Sequence, residues 1–326
     1  MQPLKVRVPS IDVVAAVLKD RLGRVLIAER PAGKPLAGYW EFPGGKLEAG
    51  EPAAAALQRE LKEELGIEVR RAYRLLQFSH QYPERRVDLD VWRVTAHTGE
   101  PAAHEGQRLA WVTPQDFPEW NLLPADQPIV SALRLPPLML VTPASTEEAG
   151  FLSGLMRSLA AGVDFVQFRA PDLASDRFER LARASIAACR EYGARVSINS
   201  RPDTALKLGA DGVHLSAREW KALGPGFERA GLLVGLSCHD AEEIAAARKL
   251  RPDYLVVGTV QATPSHGGSA PLGWERFAEL AKSTDLPVYA IGGLQLGDLK
   301  TARGHGAHGI AAVRSLWETP QLSEVS

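Results

Sequence analysis

Gly45-Lys46-Leu47-Glu48-Ala49-Gly50-Glu51-Pro52-Ala53-Ala54-Ala55-Ala56-Leu57-Gln58-Arg59-Glu60-Leu61-Lys62-Glu63-Glu64-Leu65-Gly66-Ile67 is the stretch on which the first half of the chain turns. From Glu51 to Leu65 it reads as a helix. Pro52 suits a first turn, alanines fill the body and Gly66 stops it. Residues three and four apart share a helix face, so Glu60, Glu63 and Glu64 are expected to converge. Three like charges on one face repel unless something neutralises them. A hard divalent cation does so, and Mg²⁺ suits a site that also uses substrate phosphates and water. Taken alone, the same pattern also reads as a solvated acidic face beside Arg59 and Lys62.

Outward from the helix, Val13–Leu18 reads as a strand, 20–23 as a turn and Val25–Ala28 as the returning strand. Val87–Thr95 alternates as a further strand, and a short helix runs from Gln127 to Leu133. Arg134-Leu135-Pro136-Pro137-Leu138 then stops the helical pattern and stiffens a junction. Beyond it the rhythm changes to short apolar strands alternating with helical stretches. The strands are Leu138–Val141, Phe165–Phe168, Val196–Ile198, Gly212–Leu215, Leu233–Leu236, Tyr254–Val257, Val288–Ile291 and Ile310–Val313. Such alternation implies parallel pairing, and eight units imply a closed (β/α)₈ barrel. The expected organisation is an α/β chain with one domain over 1–134 and a barrel over 138–320.

Composition bounds the function. Of 326 residues, 45% are hydrophobic and 24% charged, with a formal net charge of −1. That is ordinary for a soluble globular protein and gives no surface for nucleic acid. No apolar run approaches the length of a membrane helix, and the N-terminus lacks the core of a signal peptide. Cys189 and Cys238, with no CxxC, read as two free buried thiols of a reducing cytoplasm.

The opening stretch resembles the Nudix box at every fixed position: Gly45, Glu51, Arg59, Glu60, Leu61, Glu63, Glu64, Gly66 and Ile67. The resemblance implies an α/β/α sandwich with a mixed sheet. It also implies hydrolysis of a nucleoside triphosphate to monophosphate and pyrophosphate, with Mg²⁺, or Mn²⁺ in its place. Glu60, Glu63 and Glu64 would hold the metal, a backbone carbonyl of Gly44-Gly45 would complete the shell, and Arg59 would orient a carboxylate. Glu64 and Glu105 both remain open as the group that accepts the proton of the attacking water.

The flanks Trp40-Glu41-Phe42-Pro43-Gly44-Gly45-Lys46, Tyr82-Pro83-Glu84-Arg85, Glu105-Gly106-Gln107 and Pro124-Ala125-Asp126-Gln127-Pro128 resemble the MutT branch. That branch clears oxidised guanine nucleotides such as 8-oxo-dGTP from the nucleotide pool, which prevents mutation. The resemblance implies that Arg30, Glu41, Phe42 and Arg85 line the nucleotide pocket, that Glu105 adds a metal ligand or base, and that Asp126 reads the base. Asp126 stands where the branch has Asn. An ionised Asp only accepts hydrogen bonds. It suits N7–H of 8-oxoguanine but repels O6, unless burial keeps it protonated. It also accepts from the N4 amine of cytosine, so CTP-type pyrimidine nucleotides are the competing substrate. An N-cap role at the helix after it is the structural alternative for Asp126.

From Leu138 to Trp317 the chain resembles thiamine phosphate synthase and its TenI-like relatives. The resemblance is carried by Val166-Gln167-Phe168-Arg169, Ile198-Asn199-Ser200-Arg201, Asp211-Gly212-Val213-His214-Leu215 and Ala290-Ile291-Gly292-Gly293. It implies a site at the strand C-terminal ends, with Arg169, Gly292 and Gly293 around a phosphate. The departures are several. Ala170-Pro171 follows Arg169 where a lysine is wanted, Asn199-Ser200 replaces an Asn-Asp pair, and Glu219 stands near the place of a second metal aspartate. Thr263-Pro264-Ser265-His266 replaces a Thr-x-Thr-Lys grip, and Thr259 stands where a TenI-type histidine would. The expectation is a barrel that binds or senses a phosphorylated, thiamine-like ligand without synthase chemistry, with a thiamine-pathway enzyme as the alternative.

Overall fold

The computed structural model describes residues 9–144, 147–199, 201–223, 229–263 and 270–317. The chain divides into two compact units, Met1–Arg134 and Leu135–Ser326.

The first unit is built on β1 (Ser10–Leu18), a strand buried on both faces from Val14 onward. Val14, Ala16 and Leu18 pack with Leu57, Leu61 and Leu65 of helix α1 (Ala53–Leu65). Ala15 and Val17 pack on the other side with Ile129, Val130 and Ala132 of α2 (Gln127–Leu133). The two helices thus cover opposite faces, as expected of an α/β/α sandwich. Each fully buried leucine of α1 adds about 1.5–3 kcal/mol to this packing. Helix α1 starts two residues later than Glu51, because Pro52 takes the N-cap in an extended conformation. Gly66 closes the helix at φ 71°, its N–H reaching the carbonyls of Leu61 and Lys62.

Beside β1 lie β2 (Val25–Glu29), β3 (Trp40–Glu41), β4 (Gly44–Lys46), β5 (Glu68–Gln81), β6 (Arg86–Thr98) and β7 (Leu109–Val112). They form a mixed sheet in the order β4-β1-β6-β5 and a second sheet in the order β3-β2-β7. β1 runs parallel to β6 and antiparallel to β4. That last pairing places Gly44–Lys46 alongside Val13–Ala15 and fixes the site strand to the core.

The second unit closes the expected parallel barrel. Its strands are β8 (Leu138–Val141), β9 (Phe165–Phe168), β10 (Arg195–Asn199), β11 (Gly212–Leu215), β12 (Leu233–Cys238), β13 (Tyr254–Gly258), β14 (Val288–Ile291) and β15 (Gly309–Ala312). Each is followed by a helix among the described residues. Alternate side chains fill the two sides of each strand. Met139, Phe165, Tyr254 and Tyr289 fill the interior. Leu140, Val166, Phe168 and Ile198 face the helices.

Leu135 joins the interior set, and the residues around it are tied to the barrel's lower end. Nε2 of His308 donates to the Leu135 carbonyl at 3.0 Å, and the Tyr289 hydroxyl donates to the Pro136 carbonyl. The stretch that reads as a linker is therefore part of the barrel. No helix among the described residues is long and apolar enough to cross a membrane.

Candidate active site

Two glycines let β4 pack closely on both sides, Gly45 against α1 and Gly44 against β1. A Cβ at Gly45 would collide with the Glu60 carboxylate, and one at Gly44 with the Val14 carbonyl oxygen. Across that bare backbone, the Gly44 N–H donates to Glu64 Oε2 at 3.0 Å.

Arg59 gathers the neighbouring acids. Its Nε and one terminal nitrogen grip both oxygens of Glu51 at 3.0 and 2.9 Å. The same guanidinium reaches Glu60 at 2.8 Å and the Lys46 carbonyl at 3.1 Å. It therefore locks α1 to β4 and sets the rotamers of the acids, a task for which a planar fork is suited. The Arg59 hydrogen bonds hold Glu51 below the usual carboxylate range.

Glu64 behaves in the opposite way. Burial pushes its pKa up to about 8, against the Gly44 hydrogen bond, and the charges of Glu105, Glu41 and Glu60 push in the same direction as burial. Such an acid is poorly solvated and surrounded by like charge, the environment in which a divalent cation is most stabilising.

Glu63 departs from the expected convergence. Its side chain is 58% exposed and leans to Arg59 at 3.4 Å. Repulsion from Glu60 and Glu64 favours that outward rotamer. Among the described residues no three acidic, histidine or cysteine side chains are gathered into a cation cage. The donors on the inner side are the Glu60 and Glu64 carboxylates and the Gly44-Gly45 backbone, all hard oxygens that fit Mg²⁺ or Mn²⁺.

Glu105 arrives on a loop strapped over the end of α1. The N–H groups of Ala102 and His104 donate to the carbonyls of Leu65 and Glu64 at 3.1 and 3.0 Å. The Gln107 amide adds a bond to the Glu64 carbonyl at 3.1 Å, and Gln107 Oε1 accepts the Glu105 N–H at 2.9 Å. The Glu105 carboxylate pairs with Lys34 at 2.9 Å.

A second cluster adjoins the first. Arg30 pairs with Glu41 and donates to the Pro35 carbonyl at 2.9 Å. Phe42 is buried in the core beside Phe117, and its backbone N–H faces this cluster. That N–H donates to Asp126 Oδ2 at 3.3 Å.

Asp126 occupies the N-cap position of α2, but its side chain makes no capping bond. Only 4% of it is exposed, and burial followed by the Glu41 charge raises its pKa well above the ordinary value, against Phe42 N–H and Arg30. Tyr82 belongs here too. Its hydroxyl feels the Ala125 backbone, Asp126, Arg85 and Arg30, and Arg85 lies over its ring at 5.8 Å. The sequence points to Arg85 in the Tyr82–Arg85 turn but not to the tyrosine, whose available signal is an aromatic three residues before a turn arginine.

In the barrel, Arg169 is exposed at the end of β9, with its backbone N–H and carbonyl both bonded to the Thr142 hydroxyl. Gly292 and Gly293 have φ of 106° and 71°. Side chains there would collide with Thr259 and crowd the Ala262 carbonyl, so close packing alone already requires glycine. The Glu219 carboxylate is turned back onto the Ser216 N–H and hydroxyl, at 2.7 Å each. The Asn199 amide contacts the His214 carbonyl at 3.4 Å. Inside the barrel, burial pushes the His214 imidazole down to about 3. Ser200 and Pro264–His266 lie outside the described residues.

A glutamate-bearing helix against a Gly-Gly strand in an α/β/α sandwich, joined in sequence to a closed (β/α)₈ barrel, is the architecture of a two-domain α/β protein. Comparison with known proteins makes this particular: the chain belongs to the NUDIX family through residues 13–132 and to the thiamine monophosphate synthase family through residues 138–316. The first part is 42% identical to the CTP pyrophosphohydrolase of Escherichia coli, over 37% of this chain and 90% of that protein. The second is 40% identical to the thiamine-phosphate synthase of Thermus thermophilus, over 50% of this chain and 80% of that protein. A solved MutT NUDIX hydrolase from Burkholderia pseudomallei is 32% identical, covering 38% of this chain and 96% of its own, with a TM-score of 0.34.

Proposed function

We propose that the N-terminal unit hydrolyses a nucleoside triphosphate to the monophosphate and pyrophosphate with Mg²⁺ or Mn²⁺, and that cytosine is its preferred base. A bound cation would screen phosphate charge and acidify the attacking water. Glu60 and Glu64 would hold it, Arg59 would keep their rotamers, and Glu64 or Glu105 would take the proton.

Asp126 faces the base in this reading. Neutral, it donates from one oxygen and accepts at the other, which matches cytosine N3 and N4–H and equally O6 and N7–H of 8-oxoguanine. The anion accepts from either N–H but repels N3 or O6 alike. The similarity to a CTP pyrophosphohydrolase supports cytosine. The second reading is 8-oxo-dGTP, to which the raised pKa of the buried Asp126 is equally suited. For the barrel we propose binding of a thiamine-like phosphate without synthesis, supported by Glu219 being tied to Ser216.

Pyrophosphate release from CTP, dCTP, 8-oxo-dGTP and the ordinary triphosphates tests the first proposal, with Glu64→Gln as control. Faster release from CTP than from 8-oxo-dGTP supports it. No cation-dependent release from any nucleotide overturns the hydrolase reading. Calorimetry of the full chain with thiamine phosphate tests the barrel, and absence of heat would count against it.

A further inference from the structure

Lys34 lies on the turn between β2 and β3, and the sequence analysis assigns it no role. That turn is fixed from within. Arg30 donates to the Pro35 carbonyl at 2.9 Å, and the Gly38 N–H donates back to the Arg30 carbonyl at 3.1 Å. Gly33, Leu36 and Gly38 take positive φ angles in it, 91°, 60° and 83°. Lys34 is therefore carried on an ordered rim, although its side chain is half exposed.

Its Nζ meets Glu105 Oε2 at 2.9 Å. Glu105 is far away in sequence, on the loop strapped to the Glu64 and Leu65 carbonyls. The backbone of that loop is held by α1, but the Glu105 side chain is held by Lys34 across the mouth of the site. The bond uses one carboxylate oxygen and leaves Oε1 free. Glu105 is close enough to act electrostatically on both Glu64 and Glu41. Arg30 is engaged by Glu41, and Arg59 by Glu51 and Glu60.

We infer that Lys34 is a positioning residue for hydrolysis: it holds Glu105 over the Glu60–Glu64 site so that Oε1 faces the cation and the attacking water. This rests on the hydrolase reading proposed above. A carboxylate on a loop otherwise samples several rotamers, and a fixed partner outside a metal site keeps its ligand in one.

The test uses the full chain and four variants: Lys34→Met, Lys34→Arg, Glu105→Gln and the Lys34→Met/Glu105→Gln pair. Readouts are kcat and KM for CTP, and Mn²⁺ affinity by electron paramagnetic resonance without nucleotide. Lys34→Met is expected to lower kcat and weaken Mn²⁺ binding by about 3- to 10-fold each, the lower end of outer-partner effects because the pair is half exposed. KM changes by less than about 2-fold, since the residue acts on rotamer and not on uniform substrate binding. Lys34→Arg restores most of both, and Lys34→Met adds nothing once Glu105 is Gln.

Three results would overturn the inference: a full Lys34→Met effect in the Glu105→Gln background, an effect on KM alone, or tighter Mn²⁺ binding, which would make Lys34 a competitor of the cation. If the wild type released no pyrophosphate from any nucleotide, the hydrolase reading would fall, while the Mn²⁺ cycle would still decide whether Lys34 acts through Glu105.

Discussion

Replacing Asp126 by Asn exchanges a buried acid for a neutral isostere and gives a sharp test of the base-reading cluster. Asn keeps an oxygen for the Phe42 N–H, so packing and that hydrogen bond are retained. What changes is titration. Burial and the Glu41 charge raise the folded-state pKa of Asp126 well above 3.8. Above that ordinary value the unfolded chain has lost the proton while the folded chain keeps it. Folding then takes up a proton, and wild-type stability falls as pH rises until the folded pKa is passed. While the pH lies between the unfolded and the folded pKa the slope approaches about 1.4 kcal/mol per pH unit, so Asp126→Asn should gain on wild type as the pH rises through that window. For a unit of this size each such pH unit amounts to roughly 5 °C in the melting temperature of the N-terminal transition. Contributions from Glu41 and Glu64 largely cancel between the two proteins. The assay is denaturant and thermal unfolding of both proteins at pH 5, 6 and 7. A stability difference that stays flat across that range would show Asp126 to be ionised in the folded protein and would refute the argument from burial.

Other expectations follow from the same geometry. Glu64→Gln should cut cation-dependent pyrophosphate release by about 10²–10⁴-fold with the fold intact by circular dichroism, the scale of a lost proton acceptor. Gly45→Ala should lower activity far more than stability, because the added carbon meets the Glu60 carboxylate and little else; unchanged kcat would remove β4 from the site. A barrel begun at Leu138 should melt below one begun at Leu135, since it loses Leu135 and leaves the His308 and Tyr289 donors without their carbonyl partners, at about 1–3 kcal/mol per buried group. Equal melting temperatures would show that the junction contributes nothing to the barrel.

Legibility in the sequence followed burial. The barrel strands are short runs buried on both faces, such as Leu138–Val141 and Phe165–Phe168, so an unbroken apolar stretch marks each to within a residue or two. Helix α1 was equally plain from its alanines and Gly66. β5 was not, because Glu68, Arg70, Arg71 and Arg74 interrupt the pattern and register shifts near Arg71 and Arg74 break the alternation. β4 hid for another reason, since Gly44 and Gly45 carry no side chain by which a strand can be recognised, and β3 is only 2 residues long.

In the site, helical spacing grouped Glu60, Glu63 and Glu64 correctly on one helix but could not show Glu63 leaning out to Arg59, since that depends on competition among charges. Phe42, expected at the nucleotide pocket, has its ring in the core, and its amide reaches Asp126, a backbone contact no side-chain pattern reveals. Lys34 was invisible because its partner lies 71 positions away.

The strap over α1 has a consequence for how the site comes into being. The Glu64 carbonyl, an unsatisfied group at the end of any isolated helix, is taken by His104 and Gln107, and the Leu65 carbonyl by Ala102. The loop bearing Glu105 and the helix bearing Glu64 thus complete one another's backbone. Neither can be melted alone, and their amides should exchange with solvent at a common rate. A state with the end of α1 in place but the loop backbone detached is scarcely populated, so thermal opening of the one opens the other.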